Sequence, residues 1–186
     1  MKRLASILVV FLLLTGCGVN NAELDCAMAL RAKMLASSGC SFDAKITADY
    51  GDNVYTFTVG IVADGKGDVT FTVKEPETIS GITGSISGEG GKLTFDEQVL
   101  AFDLLADVQV TPVSAPWLLV RSLRSGYVRS CGKDGERIRL AVDDSFREDA
   151  LHLDIWLGDA DLPVYAEILY DDRRILSLDV TNFQFL

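Results

Sequence analysis

His152 is the one histidine of this chain, so any general-base or nucleophilic chemistry of the Ser-His-Asp kind has to pass through it. It stands in the alternating run ALHLDIWL, and no G-x-S-x-G elbow occurs anywhere. That placement reads as a histidine on the face of a sheet. Adjacent acids occur at Asp143-Asp144, Glu148-Asp149 and Asp171-Asp172. Glycoside hydrolysis needs two carboxyl groups at a set separation, but these pairs fall at turns and strand ends of an acidic chain, where solvated charge explains them. Cys26, Cys40 and Cys131 match no zinc spacing and have a single histidine to help them, so no metal site is expected. Three thiols can form one bridge and leave one over, or all can stay as small buried hydrophobes. Cys40, just past a helix end, is the expected participant, and the spacing does not choose the pair. No enzymatic activity and no cofactor are expected.

The fourth cysteine belongs to LLLTGCGVN. Lys2 and Arg3 form a basic end, Leu4 to Leu14 an apolar stretch, and together residues Met1 to Gly16 read as a secretory signal. The stretch is too short for a bilayer span, which takes about 20 apolar residues. Leu14-Thr15-Gly16-Cys17 is similar to the lipobox of bacterial lipoproteins, in which the signal is cut before the cysteine and the new N-terminus is acylated. The expected organisation is therefore a signal peptide over 1–16, an acylated anchor at Cys17 with a short linker to 21, and one domain over 22–186. Each buried methylene of such an anchor adds about 0.8 kcal/mol, so two or three acyl chains hold stably. The expected place is the cell envelope, on the extracytoplasmic face of a membrane.

The formal charge of −10 becomes more negative once Lys2 and Arg3 leave with the signal. Nucleic acid is excluded as a partner, because binding it takes a basic face that releases counterions. Attraction to an anionic membrane surface has no support either.

The elements that must position these residues follow from hydrophobic period. A helix is expected from Ala22 to Ala36, capped by Asn20 or Asn21, with Glu23 and Asp25 at its positive end and Gly39 beyond its stop. Leu24, Ala27, Met28, Leu30, Met34 and Leu35 give it a broad apolar face that should be covered. The period then changes to two: Phe42, Ala44, Ile46 and Ala48, then Tyr55, Phe57, Val59 and Ile61, then Val69, Phe71 and Val73 alternate with polar residues. Asp64-Gly65-Lys66-Gly67 reads as a hairpin turn, since the further acids of a calcium loop are missing. Glycines bracket short strands at GSIS and GKLTFD. In TPVSAPWLLVRSLRSGYV, Pro116 suits a first helical position and Gly126 a stop, and Trp117, Leu118, Val120, Leu123 and Tyr127 make a short helix more like a plug than a surface element. From Arg137 strands resume to the end, with short polar turns at 158–161 and 171–174. Nine or ten strands and two helices give an α+β domain dominated by one curved antiparallel sheet.

This order of elements, and above all LDIWLGDADLPVYAEILYDDRRILSLDVTNFQF with its Asp154, Leu162-Pro163 and Asn182, resembles the LolA/LolB-like half-barrel proteins. The resemblance implies an open half β-barrel over most of the mature chain, with an N-terminal helix and a short plug helix on an apolar concave face that holds acyl chains or the apolar part of another protein. The anchored relatives include mycobacterial lipid-binding lipoproteins and the clostridial germination lipoprotein, which do different jobs. Two functions are thus expected to compete. In the first, Trp117, Leu118, Val120 and Leu123 of the plug and Phe57, Phe71 and Ile155 of the sheet line a site for a lipid or acyl chain. In the second, the chain holds a protein partner at the envelope through a sheet edge or its acidic surface.

Overall fold

The computed structural model describes residues 22–95, 98–102, 105–106, 109–146 and 150–186. The signal segment, Cys17, the capping Asn20 and Asn21, and Glu148-Asp149 lie outside the described residues. Helix α1 spans Ala22–Ala36, the length its period predicts. Only half of its apolar residues are covered, however. Ala27, Leu30 and Met34 are buried, whereas Leu24, Met28 and Leu35 are exposed, which corrects the expectation of one broad covered face. The reason is geometric: α1 touches its neighbours along one narrow line, and a stripe at i, i+3/i+4 and i+7 fills that line.

Among the described residues thirteen strands follow, more than the nine or ten expected: β1 (Gly39–Asp49), β2 (Val54–Asp64), β3 (Val69–Glu75), β4 (Thr83–Ser87), β5 (Gly90–Phe95), β6 (Gln98–Phe102), β7 (Leu105–Ala106), β8 (Gln109–Val110), β9 (Tyr127–Asp134), β10 (Arg137–Asp143), β11 (His152–Leu157), β12 (Pro163–Tyr170) and β13 (Arg173–Phe185). Helix α2 (Ala115–Ser125) lies between β8 and β9. Eleven strands form one open antiparallel sheet in the order β6-β5-β4-β3-β2-β1-β13-β12-β11-β10-β9, and β7 pairs with β8 apart from it. Within this sheet every neighbouring pair but one is consecutive in sequence; the exception joins β1 to β13, so the first and last strands meet in the middle of the sheet.

Local chemistry sets the turns. The carboxylate of Asp64 accepts from the backbone N–H of Lys66, Gly67 and Asp68 at 2.8, 2.9 and 3.0 Å, which uses the acid to shape the β2–β3 hairpin. Gly39 must be a glycine because a Cβ there would stand 2.1 Å from the Ala63 carbonyl oxygen on the adjacent strand. At the β1–β13 seam the register shifts between Ser41 and Asp43, and Asn182 takes a φ of 55° opposite that shift. Asparagine tolerates this conformation, and its side-chain amide donates to Asp43 Oδ2 at 3.0 Å.

The core face of the sheet reads as the alternation predicts for Phe42, Ala44, Ile46, Ala48, Val59, Ile61, Val69, Phe71 and Val73, all buried. Tyr55 departs from it and is 55 % exposed, its ring tilted against that of Tyr50 beside the β1–β2 turn. Tyr127 is not part of the plug helix but opens β9 and is exposed, because Gly126 ends α2 and turns the chain into a strand.

Asp43 also accepts from Lys74, and this bond with that from Asn182 holds its carboxyl below the ordinary carboxylate range. A depressed folded value means stabilisation that is present above the unfolded carboxylate range and lost as pH falls through the folded value. Acid titration of unfolding is expected to show a loss of about 1 kcal/mol or less below roughly pH 4, since the pair is partly solvated, and Asp43→Asn should remove it.

Candidate functional site

Helix α2 has the sequence APWLLVRSLRS, and its residues Ala115 to Val120, with Ser122 and Leu123, are buried. Pro116 in the first turn adds no unsatisfied donor there, and the Ser114 hydroxyl donates to the Thr111 carbonyl instead of capping the helix. A helix buried on nearly all sides reads as an insert between layers. It packs against β2, β13 and α1.

The apolar residues singled out by the sequence come together. Trp117, Leu118, Val120, Leu123, Phe71 and Ile155 all belong to one continuous buried cluster, none more than 5 % exposed, and Phe57 is half-buried against its margin. Grooves lie elsewhere on the sheet. One of about 620 Å³ is bordered by Val62, Thr70, Phe71, Thr72 and Lys92.

Three further features of α2 escape a reading by period. Leu119, which has 0 % exposure, is as central to the insert as its neighbours. The Ser122 hydroxyl is buried and has no hydrogen-bond partner. An orphan hydroxyl costs about 1–3 kcal/mol, so it stands out in an otherwise apolar layer. Last, two arginines clasp the helices reciprocally. Arg31 of α1 donates from Nε to the Leu123 carbonyl at 2.9 Å and from Nη2 to the carbonyls of Ser122 and Gly126 at 3.2 and 2.7 Å. These carbonyls lie at the C-terminus of α2, where a cation also suits the dipole, and the Ser122 oxygen accepts the Gly126 N–H as well. Arg124 of α2 donates from Nη1 to the Met34 carbonyl in the last turn of α1 and from Nη2 to the Gly65 carbonyl, each at 2.6 Å. Burial pulls the Arg31 guanidinium below its ordinary value. The one signal in the sequence was a charged residue directly after the buried Leu30 in an otherwise Ala, Leu and Met face.

The titratable residues gather on the other face of the β9–β12 region. His152 Nδ1 lies 2.6 Å from Asp143 Oδ1, with Arg129 Nη1 3.3 Å from the same nitrogen. Arg139 donates to Asp154 at 2.6 Å and stacks over Trp156, whose Nε1 donates to Asp134. This is a ladder of opposite charges across neighbouring strands. The sheet histidine of the sequence reading is found here, paired to an acid. Asp154, one of the residues on which the resemblance rests, serves as the acceptor for Arg139. Among the described residues no group of three or more His, Cys, Asp or Glu is placed to hold a metal ion. No described helix is long and apolar enough to cross a membrane.

No protein-family model matches the sequence, and no curated protein matches it. Solved structures similar to this chain include a LolA superfamily protein and an outer-membrane lipoprotein-sorting protein domain. An outer-membrane lipoprotein-sorting protein domain of Vibrio parahaemolyticus is similar over 88 % of this chain and 92 % of its own, at 9 % identity and a TM-score of 0.48. A LolA superfamily protein of Nitrosomonas europaea is similar over 86 % and 93 %, at 8 % identity and a TM-score of 0.46. The lipoprotein LppX of Mycobacterium tuberculosis is similar over 86 % and 91 %, at 8 % identity and a TM-score of 0.39.

Proposed function

We propose that the chain is a non-enzymatic lipoprotein, anchored through Cys17 on the extracytoplasmic face of a membrane, that holds an acyl chain or similar apolar ligand between α2 and the sheet. In this reading the core face of the sheet is the concave face of a half-barrel, α1 and α2 cover it, and the structure is the closed state. The observation that supports it is the way α2 is held. Beneath the helix lie apolar contacts that an acyl chain can replace at little cost in buried area. Above it, the clasp of Arg31 and Arg124 runs through backbone carbonyls, so α2 can lift while the sheet keeps its ladder. The orphan hydroxyl of Ser122 would then donate to an ester or carboxyl oxygen of the ligand.

Trp117 reports the event directly, since the chain has two tryptophans and Trp156 lies on the charge ladder. In a Trp156→Phe background, a brominated fatty acid is expected to quench Trp117 emission, and native mass spectrometry of protein purified without detergent should show the bound acyl mass. Unchanged emission with a bare protein would overturn the reading. A protein-holding role would then take its place, for which edge strand β6 is the observation: Val99 and Leu100 are 67 % and 65 % exposed. Successive residues of a strand point to opposite faces, so this edge is apolar on both sides, and among the described residues no further strand pairs with it.

A further inference from the structure

The three thiols of the domain do not share one environment. Cys40 is 1 % exposed on β1, and burial pushes its thiol up to about 11. Cys26 and Cys131 are half-buried and both pack against the margin of the core. Strand β9 explains how Cys131 comes to point inward. It pairs directly with the buried Leu140, and directly opposed residues share a face. The register of β9 on β10 shifts between Ala141 and Val142, which inserts Arg129 as an extra residue and keeps Val128 and Cys131 on the same side despite their odd spacing.

Helix α1 packs against β9 and against the turn at Asp159–Asp161. Cys26 stands one turn before the buried Leu30 and next to the buried Ala27, on the face that meets this strand. The two thiols also act on each other's surroundings. Burial first, then Asp161, then Cys131 push Cys26 up to about 12, and Glu23, one turn before Cys26, adds to the burial that raises Cys131. The first turns of α1 therefore lie over Cys131.

We infer that Cys26 and Cys131 are a disulfide-forming pair that fastens α1 to edge strand β9, leaving Cys40 as a buried free thiol. The chemistry is thiol–disulfide exchange with an external disulfide. One cysteine thiolate attacks it, forming a mixed disulfide and expelling one external thiolate. The second cysteine thiolate then attacks the mixed bond, closing Cys26–Cys131 and expelling the other. Two protein thiols are oxidised, one external disulfide is reduced to two thiols, and the cysteine protons pass to the departing thiolates. With both thiols raised, the thiolate is scarce at neutral pH, so closure is slow once α1 has docked and faster at alkaline pH. The bridge would close a loop from residue 26 to residue 131, a long one, for which the stabilisation by a cross-link is largest. It would hold the half of α1 that the arginine clasp does not reach. The inference stands whether or not an acyl chain is the ligand.

The test uses the full chain solubilised from bacterial membranes. It is incubated with glutathione disulfide at pH 8.5, alkylated in denaturant, digested and mapped by mass spectrometry. The expected product is one peptide pair joined through Cys26 and Cys131, with Cys40 alkylated. Cys40→Ser should keep the bridge, and Cys26→Ser or Cys131→Ser should abolish it. The bridged protein should melt about 10 °C above its reduced form. Three alkylated cysteines, or a bridge that includes Cys40, would overturn the assignment. Because the mapping is done on the wild-type chain, a variant that fails to fold does not blunt it.

Discussion

Replacing Arg31 by alanine is expected to loosen α2 without disturbing the sheet. The guanidinium donates to three carbonyls at the C-terminus of α2 from a single side chain. Hydrogen bonds from a charged donor are worth more than neutral ones, but the site is only partly buried, so a loss of about 2 kcal/mol is expected. That corresponds to a roughly 30-fold larger population in which the helix pair has opened. Hydrogen exchange should show it in the amides of α2 and the second half of α1, while those of β1, β2, β12 and β13 keep their protection. Arg31→Lys should rescue little, because an ammonium cannot present the fork that reaches three acceptors. A double-mutant cycle with Arg124→Ala tests the reciprocity. Coupling between the two substitutions is expected, since each arginine holds the helix that carries the other. In the acyl-binding reading, Arg31→Ala should also speed the quenching of Trp117 by a brominated fatty acid; equal rates in wild type and variant would remove the clasp from the binding step.

Leu119→Ala should have the largest effect on stability. The side chain is fully buried in the middle of the inserted helix, within the cluster that contains Trp117, Leu118 and Leu123. Truncation there removes the transfer energy of the lost methylenes and leaves a cavity, together about 4 kcal/mol. For a domain of this size that is a fall of roughly 12 °C in melting temperature, readable by calorimetry. The cavity has a second consequence. An apolar void between α2 and the sheet stays dry and accepts small apolar molecules. The variant should therefore regain part of its lost stability in the presence of a short-chain apolar ligand. Absence of any regain would mean that the space beneath α2 collapses and that the helix is a permanent part of the core.

Much of this was legible in the chain. The bounds of α1, the short plug helix behind Pro116, the β2–β3 turn around Asp64 and the inward residues of β1 to β3 all follow from local rules: period, cap and turn chemistry act within a few residues and do not depend on what packs from afar. The residues proposed for the apolar site were found for the same reason. An apolar side chain at helical or strand spacing has to be buried, and in a single domain the buried residues meet.

Tertiary structure decided what local rules cannot contain. Strand β9 was hidden because Tyr127, Val128 and Cys131 are too few and too irregular to show a period, and the extra Arg129 breaks the alternation; it is a strand because β10 offers it a ladder. The exposure of Leu24, Met28 and Leu35 depends on how narrow the contact beneath α1 is. The pairing proposed for the thiols and the carbonyls that Arg31 reaches depend on contacts across about ninety to a hundred residues of chain, which no spacing encodes. Composition and period thus determined which side chains leave water, an energy set residue by residue. Which of them face one another, and where Arg31 finds three carbonyls, was decided by packing whole elements together.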